Sequence, residues 1–128
     1  MKRTRQDFLP YVRHLADSMR LRDWDFCIAD ELAAVGAMAS ILCVSGRKLG
    51  TIRFNEAFLA EDESEQRYIV VHELTHCHCA LADAIAESEI DEDHVDAYQL
   101  ASEHAVDGVA MALAQFMPLP TAILDQKS

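Results

Sequence analysis

Two histidines four positions apart, with a glutamate directly after the first, make His72-Glu73-Leu74-Thr75-His76 the segment of this chain best equipped for chemistry. On a helix, four residues advance about 6 Å and about 400°, so His72 and His76 lie one turn apart on one face, offset by roughly 40°. Two imidazoles placed in this way can grip one metal ion. Glu73 lies about 100° round the same helix, away from the ligand pair but within reach of a water on the metal, where a general base is needed. A chain with six His and ten Glu in 128 residues is expected to contain only about 0.02 such runs by chance.

The elements around the run must make it helical. Glu61-Asp62-Glu63-Ser64-Glu65 supplies carboxylates and a capping hydroxyl suited to the free N–H groups and positive end of a helix starting near residues 62–64. Tyr68, Ile69, Val71, Leu74, Thr75, Cys79, Ala82 and Ile85 then recur at spacings of three and four, with no Gly or Pro before Gly108. A helix over about 62–86 follows, then an acidic connector over 87–93 and a second long helix over 94 to about 115, stopped by Pro118 and Pro120. Upstream, Phe8, Val12, Leu15, Ala16 and Met19 predict a first helix within 4–20, with Pro10 tolerated in its first turn. Residues 24–29, 37–44 and 51–54 read as short strands, the last two joined by the turn Ser45-Gly46-Arg47-Lys48-Leu49-Gly50. Residues 31–36 are ambiguous between helix and loop.

Catalytic zinc takes three protein ligands and keeps one position open, so two histidines are one ligand short. Asp83, His94, Asp96, Glu103, His104 and Asp107 are the candidates. Glu103 and Asp107, four apart on the second long helix, share a face. One carboxylate there can ligate while the other accepts the free ring N–H of a ligand histidine and so fixes its tautomer. Tyr98 and His104 are the nearest candidates for stabilising an oxyanion.

Glu103-His104-Ala105-Val106-Asp107 following His72-Glu73-Leu74-Thr75-His76 resembles the gluzincin clan of zinc metallopeptidases, in particular its smallest single-domain members, the minigluzincins. The likeness covers roughly residues 51–110. It implies zinc held by His72, His76 and Glu103, Glu73 as general base and acid, and Asp107 as partner of a ligand histidine. It also implies an upper edge strand before the motif helix, with Arg53, Phe54 and Asn55 pairing with an extended peptide substrate. The metzincin pattern is absent, because Cys79 and Ala82 stand where it requires glycine and histidine.

Size and composition bound the rest. A chain of 128 residues, 51% hydrophobic, suffices for one core, and a single domain over 1–128 is expected. The fold class expected is α+β: a small antiparallel or mixed sheet packed on an N-terminal helix and two long helices, zincin-like if the resemblance holds. Net charge is −11, which opposes approach to a phosphate backbone, so no nucleic-acid partner is expected. No apolar run reaches membrane-spanning length and the N-terminus offers no uninterrupted signal core, so a soluble, cytoplasmic protein is expected, with no membrane partner. Cys27, Cys43, Cys77 and Cys79 are read as free thiols, since Cys77 and Cys79 point apart on a helix. The expected partner is a peptide or unfolded protein, with oligomeric state left open. The activity expected is hydrolysis of peptide bonds, latent if Phe116-Met117-Pro118-Leu119-Pro120 covers the cleft. The alternative is a zinc-stabilised binding module without turnover.

Overall fold

A computed structural model describes residues 2–125. A 3-10 turn over Gln6–Phe8 leads into α1 (Leu9–Ser18), followed by β1 (Asp25–Ile28), β2 (Ala39–Val44), β3 (Leu49–Phe54), α2 (Glu56–Ala60), α3 (Glu63–Glu89), α4 (Glu92–Ala114) and α5 (Pro120–Leu124). The architecture is mixed α and β, as expected from the sequence. Residues 29–38, which include the ambiguous 31–36, are not helical.

Helix α1 buries Tyr11, Val12, Leu15 and Ala16 along one stripe and accommodates Pro10 in its first turn, where no N–H is needed. It ends through Arg20, whose φ of 66° is left-handed. The Leu21 N–H returns to the Ala16 carbonyl at 2.8 Å and the Arg20 N–H to that of Asp17 at 3.2 Å. This is a Schellman closure built without glycine. Arg20 is exposed, so Arg20→Gly is expected to stabilise the protein by about 0.5–1 kcal/mol, read as a raised denaturation midpoint. A lower midpoint would show that the arginine side chain contributes more than its backbone conformation costs.

Alternation decides the sheet. Phe26 and Ile28 of β1 and Gly50, Ile52 and Phe54 of β3 face inward at every second position. Gly50 is required by close approach, because a Cβ there would collide with the Phe26 ring. Strand order is β1-β3-β2, with β1 parallel and β2 antiparallel to β3. The expected edge strand is therefore the central one. Its backbone pairs on both sides, Ile28 with Ile52 on one flank and Ser40 with Arg53 on the other. Phe54 is fully buried, stacked on Phe58 at 4.2 Å between ring centroids.

Helix α3 begins at Asp62, whose carboxylate caps the Glu65 N–H at 2.8 Å. Its first half buries Ile69, Val70, Val71 and Leu74 against the sheet and α1 core. Instead of the long acidic connector, only Ile90 and Asp91 separate α3 from α4. Nothing in Glu87-Ser88-Glu89 breaks a helix, and Glu92 and Asp93 favour a new helical N-terminus. Helix α4 folds back along α3, as shown by the descending order of partners: Glu87 with Gln99, Asp83 with Tyr98 and Ser102, His72 with Asp107.

Among the described residues, the C-terminal segment does not line the cleft. The Tyr11 hydroxyl donates to the Pro118 carbonyl at 2.7 Å, Arg67 donates to that of Met117 at 3.0 Å, and Pro120 is buried. A buried phenol needs an acceptor, and the tail supplies it. The same burial pushes the Tyr11 pKa upward.

Candidate metal centre

Tyr68, His72 and His76 recur every four residues on the side of α3 that meets α4. The His72 and His76 ring centroids are 5.0 Å apart. From α4, the Glu103 carboxylate reaches both rings, with Oε1 2.9 Å from His72 Nε2 and Oε2 3.3 Å from His76 Nε2. Behind His72, Asp107 Oδ1 stands 2.9 Å from Nδ1. One nitrogen of the His72 ring thus faces Glu103 and the other faces Asp107. The structure brings together His72, His76, Glu103 and Asp107, and it places Glu73 in the same cleft.

The three donors could hold a metal ion. Metal–ligand distances of about 2.0–2.1 Å imply about 3.3 Å between donors in a tetrahedron, and the separations from Glu103 to the two rings are 2.9 and 3.3 Å. One donor atom from each of His72, His76 and Glu103 lies within 4.8 Å of the others, the one such group among the described residues. Asp83, His94, Asp96 and His104 join no such group.

Electrostatics at the centre follow from burial. Desolvation is the main cause that lowers the His76 pKa, assisted by the neighbouring His72 and opposed by the Glu103 carboxylate. A neutral imidazole, the form that binds metal, results. Glu73 is only 7% exposed. Burial, then the charges of Glu103 and Cys43, push its pKa up to about 8.

The cleft encloses about 650 Å³ and is lined on the helix side by Glu65, Tyr68, Ile69, His72, Glu73 and His76. Its opposite wall is β2, through Ala39, Ser40, Ile41 and Cys43. Arg53, Phe54 and Asn55 are not in that wall. Arg53 pairs with Glu31 at 3.0 Å, Phe54 is in the core, and the Asn55 amide holds the Ala34 and Ala37 carbonyls. Tyr98 donates to Asp83 at 2.7 Å, and neither Tyr98 nor His104 lines the cleft.

The role of Tyr68 has no counterpart in the sequence reading. The Tyr68 hydroxyl donates to Asp107 Oδ1 at 3.3 Å and lies 3.4 Å from His72 Nδ1. Burial and then the Asp107 charge raise its pKa, which keeps the phenol a donor. Its position four residues before His72 was the available signal. Asp83, a candidate ligand by sequence, instead accepts from Ser102 at 3.0 Å as well as from Tyr98 and lines the cleft.

Comparison with protein-family models, curated proteins and solved structures finds no match to this chain. No helix is long and apolar enough to cross a membrane among the described residues.

Proposed function

We propose that this chain is a zincin-like, zinc-dependent hydrolase that cleaves peptide bonds with water. The observation that carries this reading is the convergence of His72 Nε2, His76 Nε2 and the Glu103 carboxylate, with Asp107 behind His72. Zinc held there supplies Lewis acidity toward a carbonyl oxygen and lowers the pKa of water toward about 7. His72, His76 and Glu103 would hold it. Asp107, itself hydrogen-bonded by Tyr68, accepts the His72 Nδ1 proton and holds that ring in the tautomer whose Nε2 is free to ligate.

Glu73 is the proton carrier. With zinc bound, the ionised form of this buried carboxyl would be favoured against the effect of burial, so Glu73 would accept a proton from water as its oxygen adds to the carbonyl carbon. Returning that proton to the leaving nitrogen completes the exchange of one water for one amide bond. The substrate is an extended peptide or unfolded chain, paired with the unpaired edge of β2 in the cleft wall.

A second reading, zinc as a structural clasp without turnover, draws support from the same geometry, because the ligands join α3 to α4 along a helical hairpin. Metal analysis tests what the two readings share. Wild type is expected to retain one zinc per chain, whereas His72→Ala and Glu103→Ala lose it and Asp107→Ala binds it about 10–100-fold more weakly. Equal zinc content in all four proteins would remove the proposed centre.

A further inference from the structure

Of the four cysteines, two meet at the wall of the cleft. Cys43 is on β2 and Cys77 on α3, 34 positions apart in sequence, and their sulfur atoms are 2.9 Å from one another. All four cysteines are free thiols, with Cys27 exposed and Cys79 partly buried. A disulfide requires about 2.05 Å between sulfurs, so the remaining gap is under about 1 Å and lies within the reach of small side-chain and strand adjustments. Access is unequal. Cys43 lines the cleft, while Cys77 is 4% exposed and sealed behind it.

We propose that Cys43 and Cys77 are a reversible redox pair, in which a hydroperoxide entering the cleft oxidises Cys43 and Cys77 then closes a disulfide between β2 and α3. In the first step the Cys43 sulfur attacks hydrogen peroxide. The O–O bond breaks, an S–O bond forms, and one water leaves with the thiol proton. In the second step Cys77 sulfur attacks Cys43 sulfur. The S–S bond forms as the S–O bond breaks, and the hydroxyl leaves as a second water with the Cys77 proton. Two thiols have given up two electrons and one peroxide has become two waters. A low-molecular-weight thiol reverses the change, two molecules of it becoming their own disulfide.

The position gives the bond a consequence. Cys77 lies one helical turn after Glu73, and β2 forms the opposite wall of the cleft. Oxidation therefore pins that wall to the helix that carries the proposed proton carrier. The pair itself is independent of any metal, so a thiol measurement separates its failure from failure of the hydrolase reading.

The test uses the full chain, both zinc-supplied and chelated, treated with stoichiometric hydrogen peroxide and then alkylated under denaturing conditions. Intact mass is expected to show two thiols protected, with fragment mapping linking Cys43 to Cys77 and leaving Cys27 and Cys79 alkylated. Dithiothreitol restores all four. Closing a loop of this length raises Tm by about 10 °C under non-reducing conditions. Cys43→Ser, a change at the cleft surface, must abolish both the linkage and the Tm rise. Cys77→Ser, if it folds, must leave Cys43 to over-oxidise to sulfinic acid. The proposal is overturned by a Cys77 that remains alkylatable in wild type after oxidation of Cys43, or by a linkage that includes Cys27 or Cys79.

Discussion

Glu73→Gln is expected to lower the rate of hydrolysis of an unfolded protein by about 10³-fold, equivalent to about 4 kcal/mol of transition-state stabilisation, while one zinc per chain is retained. Glutamine preserves the size of the side chain and its hydrogen-bonding shape. It removes only the capacity to accept a proton from water and pass it on. His72, His76 and Glu103, whose convergence would hold the proposed zinc, are untouched by the change. The two measurements together separate the competing readings. Loss of turnover with zinc in place supports the hydrolase. Turnover that survives the substitution removes Glu73 from its role, and a wild type that binds zinc but cleaves nothing leaves the structural clasp.

The second large effect lies in the pH dependence of the metal-free protein. Burial, followed by the Glu103 and Cys43 charges, raises Glu73 from 4.5 to about 8 in the folded chain. The folded state therefore holds this proton over a range in which the unfolded chain has released it. Stability from this residue is complete below pH 4.5, falls as pH rises, and is gone above about pH 8. A shift of this size corresponds to about 5 kcal/mol. His76 works in the opposite direction: its lowered pKa removes stability as pH falls through and below 6.5. Comparing wild type with Glu73→Gln by chemical denaturation in chelator cancels that contribution. The gap between them should widen in favour of the variant from pH 5 to 8, and parallel curves would show that the carboxyl is not buried as described. Zinc should narrow the gap by favouring the carboxylate.

Much of the centre was legible because helices turn sequence spacing into geometry. His72 and His76 at one interval and Glu103 and Asp107 at the same interval each define a face, and an antiparallel hairpin brings the two faces together. Strand order was not legible. A hairpin turn at 45–48 fixes the pairing of β2 with β3, but nothing local states which flank β1 will take. The expectation that Arg53, Phe54 and Asn55 lie on a free edge failed on that point, since β3 is the central strand and Arg53 and Phe54 pair with Ser40 and Ala39 of β2. Phe54 also carried its own signal, because an aromatic residue two positions beyond Ile52 belongs to the buried side of the strand. The pairing of Cys43 with Cys77 was likewise hidden, being a contact between elements 34 residues apart. The course of the tail was not legible either, because the buried Tyr11 hydroxyl recruits the Pro118 carbonyl from 107 positions away.

The division of donors between α3 and α4 also fixes an order of events during biosynthesis. A ribosome delivers both imidazoles about thirty residues ahead of the carboxylate, so the nascent helix displays only a weak two-point grip until Glu103 and Asp107 have emerged. Firm capture of the proposed zinc would therefore wait for the return helix to dock.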